Sequence, residues 1–159
     1  MNLYLTLRLL LALHIIGIIV MAGTTMIDYL TFKVFWKLAD VGDERSFGLL
    51  PLMARYGTFI RAGAISIIVT GVTMIALNKG VIEGQLWFKI KTVLLIALIL
   101  NGLFVGNTQG TNFRNAVITH GADFVRHTAN IRASLGWFYP VQLALFAIII
   151  LLSVTRLNW

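Results

Sequence analysis

Apolar residues in this chain gather into four long blocks separated by polar stretches. The blocks are Leu9–Ile27, about Ala62–Leu77, about Leu86–Gly106 and Ala133–Thr155. Each is close to the ~20 residues that carry a helix across hydrocarbon. The second is entered through Arg61, the third carries Lys89 and Lys91 near its start, and the fourth has no charge. Lys33–Arg61, Asn78–Gln85 and Gly106–Arg132 form the polar connections. No longer repeat and no low-complexity linker interrupts this order. The pattern predicts an all-α fold in one domain, an integral membrane four-helix bundle. Its helices are expected over about residues 4–31, 58–77, 86–107 and 133–156.

Composition agrees. Hydrophobic residues make up 58% of the chain and charged residues 12%, with a mean hydropathy of +0.87. A soluble domain carries roughly a quarter charged residues, so this surface is built for lipid. Cysteine is absent, which excludes disulfides and thiolate metal sites. The net charge of +7 does not indicate nucleic acid, because the basic residues are spread along the chain beside apolar runs. Anionic lipid headgroups and topology select that distribution. The run from Leu9 is too long for the core of a cleavable signal. The first and third connections hold eight Lys and Arg, against five on the other side. The positive-inside rule then puts both termini and the short second loop outside a bacterial cytoplasmic membrane.

Within the first block, His14 is the exceptional residue. On a helix, His14, Ile18, Met21, Thr25 and Asp28 share one stripe, while Gly63, Ser66, Thr70, Thr73 and Met74 make a small-residue stripe on the second helix. Polar and small residues face a bundle interior rather than lipid. Such faces either let two backbones approach closely or leave room for something flat and apolar. His14 lies roughly 8 Å below the outer edge of its block. Met74 in the last turn of the second helix and Lys89 in the first turn of the third belong to the same shallow layer. Lys89 and Lys91 are about 200° apart on a helix, so only one of them faces inward. The plain alternative is a core histidine hydrogen-bonded to the next helix.

The other candidates have simpler readings. His120 and His127 belong to the third connection, more than ~20 Å away across a ~30 Å core, and suit an amphipathic surface segment. Asp28 is expected to cap the inner end of its stripe and pair with Lys33 or an arginine. Pro140 reads as a helix start, and Trp87, Trp137 and Trp159 as an interfacial belt. Copper(I) prefers soft ligands, and His14, Met21 and Met74 are the available set. His14 and Met21, however, stand about 10 Å apart along one helix. A porphyrin needs only one strong ligand, an apolar slot and a cation for its carboxylates.

The stretch ALHIIGIIVMAG (12–23) resembles the first helix of the HemJ-type membrane protoporphyrinogen IX oxidases and of the related CopD-like four-helix proteins. GQLWFKIKTVLLIALI (84–99) is similar to their third-helix Gly-Trp-Leu-His-x-Lys pattern, with Gln85 and Trp87 standing where that pattern has Trp and His. The resemblance implies haem b held within the bundle, His14 as its axial metal ligand, and Lys89 as a catalytic group or the partner of a porphyrin carboxylate. Met21, Thr70 and Met74 would line the cofactor. The expected function is therefore a membrane haem or porphyrin protein acting as an oxidoreductase on a porphyrinogen or passing electrons to a membrane acceptor. Alternatives are a CopD-like copper or small-solute transporter and a non-catalytic assembly subunit. The expected partners are the lipid bilayer, a porphyrin and a further copy of the chain, with no nucleic acid.

Overall fold

A computed structural model describes residues 2–77, 86–120 and 124–155, except for the side chains of Trp87 and His120. The expected Asn78–Gln85 connection and Trp159 lie outside the described residues. Helix α1 spans Leu3–Ala39 and α2 spans Arg45–Leu77. Helix α3 (Leu86–Leu100) continues through a π-helical stretch, Asn101–Asn107, into α4 (Thr108–His120). A short α5 (Phe124–His127) precedes α6 (Ala129–Thr155). Four helical runs are long and apolar enough to cross a membrane: α1, α2, Phe88–Thr119 and α6. The all-α membrane bundle expected from the apolar blocks is the fold observed.

The helices outrun the expected boundaries. α1 continues through Phe32, Phe35, Trp36 and Ala39, all buried, while Lys33 and Lys37 stay exposed. That is the 3, 4, 7 spacing of an amphipathic helix. A search for uncharged runs stops at Lys33 and misses it. The helix ends where Gly42 takes φ 71°, a left-handed conformation that glycine adopts without strain. Asp43 Oδ1 then accepts the Arg45 N–H at 2.9 Å and starts α2. Phe113 and Val117 are buried on α4, so most of the expected third connection is helix as well. α6 begins at Ala129, which places Pro140 inside the helix rather than at its start.

α1 and α2 form one tightly packed hairpin, and α3 packs on α6 to form the second. α1 and α6 join the two pairs, whereas α2 and α3 hardly touch among the described residues. The α1–α2 crossing depends on two glycines. A Cβ on Gly63 would stand 2.9 Å from the Gly17 carbonyl oxygen and 3.0 Å from the Met21 nitrogen. The small-residue stripes therefore bring backbones together and leave no slot at this depth.

Two apolar clusters fill the interior. Met21, Ile67, Leu98, Phe146 and Ile149 form the middle layer, drawing on all four long helices. Towards Ala39 lies an aromatic end containing Phe32, Phe35, Trp36, Phe113, Phe124 and Tyr139. The Phe35 ring is edge-on to Trp36 at 5.5 Å and to Phe113 at 5.0 Å. Offset and edge-to-face geometry of this kind adds to area burial. Arg132 closes this end, bound through both nitrogens to Asp40 at 2.8 Å and stacked 4.5 Å over Trp36. Gly106 makes room for the Phe138 ring, whose Cζ would stand 2.6 Å from a Cβ there.

Candidate functional site around His14

His14 faces the bundle, as its stripe predicts, and is half-buried. Its Nδ1 lies 2.8 Å from Thr70 Oγ1 on α2. Thr70 Oγ1 donates its single hydrogen to the Ser66 carbonyl of its own helix. With that hydrogen committed to the carbonyl, the tautomer that satisfies both groups has Nδ1–H donating to Thr70 Oγ1. Cε1 rests against Gly71, 3.4 Å from where a Cβ would be, so the ring seats where α2 has no side chain. Ser66 Oγ adds a second link by donating to the Leu13 carbonyl at 3.3 Å. The histidine is held against α2 by Thr70 and by the backbone of Ile67. Ligating histidines are oriented by the same device, a hydrogen bond from the other ring nitrogen.

The two lysines, of which only one was expected to face inward, are placed differently. Lys89 is exposed and lines a shallow apolar groove with Ile90, Val93 and Leu94. Lys91 is half-buried, and its charge acts on the His14 ring. Register gives the reason. Lys91 stands three residues before Leu94 and seven before Leu98, which pack into the middle layer, so it shares their face. His14 likewise stands seven residues before Met21. Both groups are therefore about 10 Å above that layer.

The remaining candidates lie at different distances from His14. Met21 is buried at the glycine crossing and belongs to the middle layer rather than to a ligand set. Thr70 is buried and touches His14 directly, while Met74 is half-buried one turn further along α2. His127 is exposed at the far end. Asp28 pairs with neither Lys33 nor an arginine: it accepts the Tyr139 hydroxyl at 2.9 Å, and Lys33 instead lies 4.5 Å over the Tyr29 ring. No group of three His, Cys, Asp or Glu able to hold a metal ion occurs among the described residues.

Sequence reasoning missed a second polar layer. Gln142 Nε2 donates to the Leu98 carbonyl at 3.3 Å, and its Oε1 accepts from Asn101 Nδ2 at 2.8 Å. Asn101 opens the π-helical stretch. A glutamine and an asparagine within otherwise apolar blocks were the available signal, since buried amides must find partners.

No family model matches the chain, and no curated protein or solved structure is significantly similar to it. The resemblance to the HemJ-type and CopD-like proteins thus rests on the α1 and α3 residues alone. What fold and site define together is a four-helix membrane protein with one oriented imidazole beside a cation.

A haem-type group fits the donor set at this site and fails the depth below it. One imidazole can satisfy a single axial bond, and Lys91 supplies the cation. The groove beside Lys89 encloses about 260 Å³, below the ~300–1,000 Å³ of small-molecule sites. The glycine crossing closes the layer beneath.

Proposed function

We propose that this protein binds a haem-type porphyrin in the membrane through His14 and acts as a redox protein. The observation that carries the reading is the hydrogen bond from His14 Nδ1 to Thr70, which presents the other ring nitrogen as a ready ligand. Bound there, the group would supply one-electron chemistry to a membrane partner. His14 would hold it, Thr70 would fix the ring, and Lys91 would offset a ligand carboxylate, since such a pair relieves part of the desolvation cost of each. The distribution of Lys and Arg supports placing this end outside a bacterial inner membrane. The porphyrinogen reaction that the resemblance implies belongs to the same reading, with Lys91 in place of Lys89.

The test is an absorption spectrum of the detergent-extracted protein expressed with haem supplied. A Soret band is expected, lost in His14→Ala, weakened in Thr70→Val by about 10- to 100-fold in affinity, and unchanged in Lys89→Met. Because a ligating imidazole must be unprotonated, the band should fade as pH falls below the ordinary histidine range near about 6.5. A missing band, or one that survives His14→Ala, overturns the proposal.

A further inference from the structure

We infer that Asp28 is a proton-exchange site of the bundle interior, with Tyr139 as its fixed hydrogen-bond donor and Arg114 as its counter-cation when ionised. The inference is independent of the porphyrin reading. Asp28 lies two helical repeats of seven beyond His14, ~21 Å along α1, on the opposite side of the apolar layer built on Met21.

Its two carboxyl oxygens are treated differently. Oδ2 accepts the Tyr139 hydroxyl at 2.9 Å. Oδ1 is fully enclosed and has no hydrogen-bond partner among the described residues. An ionised carboxylate offers about four lone-pair sites, and enclosing an oxygen unpaired disfavours the charged form. Arg114 on α4 acts in the other direction. Its charge reaches the carboxyl without forming an ion pair, while its Nη2 donates to Thr111 Oγ1 at 3.3 Å. The carboxyl is thus enclosed with one donor on Oδ2, an unpartnered Oδ1 and one cation at a distance, and sparsely partnered enclosed acids are candidates for proton exchange.

Among the described residues, other polar and charged side chains of this end have partners of their own. Tyr56 of α2 meets Thr31 Oγ1 at 3.4 Å, Lys33 covers Tyr29, and Arg132 binds Asp40. Tyr29 stacks on Tyr139 at 5.3 Å and helps hold the phenol in place. The proton therefore joins and leaves at Oδ1, while Tyr139 keeps its own. Arg114 sits seven residues past the π-helical stretch, a form of helix that often accompanies functional sites. An ionisable group inside a membrane bundle is functional by default.

Infrared titration of the full chain in lipid, from about pH 4 to about pH 9, reads the protonated carboxyl C=O band. The chain's other carboxyl groups are common to all variants and cancel in difference spectra. The wild type should show a titrating band that Asp28→Asn lacks. In Tyr139→Phe that band should persist at higher frequency, because a carbonyl that loses a hydrogen bond stiffens. Should Asp28→Asn fail to fold, the frequency in Tyr139→Phe decides. A wild type without a titrating difference band, a band of equal size in Asp28→Asn, or an unmoved band in Tyr139→Phe overturns the inference.

Discussion

The two ends of the bundle are built on different principles. Around Phe35 and Trp36, rings from α1, α4, α5 and α6 interlock, and the Phe35 ring has 0% exposure. Around His14, one hydrogen bond to Thr70 orients a half-buried ring, and α2 and α3 hardly touch among the described residues. Packing of the first kind holds helices in a fixed arrangement. A polar contact of the second kind positions one side chain by direction rather than by close packing. The difference assigns packing stability to the aromatic end and leaves the His14 end as the place of the proposed ligand.

The strongest way to break that assignment is to truncate one residue at each end. Phe35→Ala should cost about 3–5 kcal/mol, the usual range for emptying a packed phenylalanine site. His14→Ala should cost no more than about 1 kcal/mol, the net worth of one hydrogen bond. Thermal unfolding in the same detergent compares them, and equal losses would dissolve the contrast.

A smaller effect tests the crossing between the two ends. Gly63→Ala presses a methyl group against backbone atoms of α1 and should cost about 1–3 kcal/mol. Gly57→Ala, where nothing lies within 4 Å, should be neutral or stabilising by up to about 1 kcal/mol. The unfolding curve of Gly63→Ala should move to lower temperature, and that of Gly57→Ala should stay in place or move to higher temperature.

The smallest effect concerns the clasp at the aromatic end. Asp40 and Arg132 are each 43% exposed, so Arg132→Met should lose under about 1 kcal/mol. Added salt should shrink the difference from wild type, since exposed charges are screened. A loss as large as that of Phe35→Ala would show the end to depend on charge rather than packing.

The inward stripe of α1 was legible because His14, Thr25 and Asp28 are polar against an apolar background, and polarity has a helical period that can be read directly. The extension of α1 to Ala39 was equally present in Phe32, Phe35, Trp36 and Ala39. Lys33 concealed it, because a span search rejects charge before it examines the face a charge lies on. Asp28 was assigned to a cation by proximity in sequence. Its actual partner, Tyr139, is 111 residues away, and no local pattern connects them.

Length and hydropathy are sums over neighbouring residues, so the chain alone determined an all-α membrane protein with four spans and an imidazole turned into it. The choice between Lys89 and Lys91, and between a slot and a closed crossing at Gly17 and Gly63, belonged to the tertiary structure. Helix α3 is apolar on every side around these lysines, so nothing in its own sequence sets its rotation. Packing of Leu94 and Leu98 against the other three long helices sets it, and that contact brings the Lys91 charge to His14.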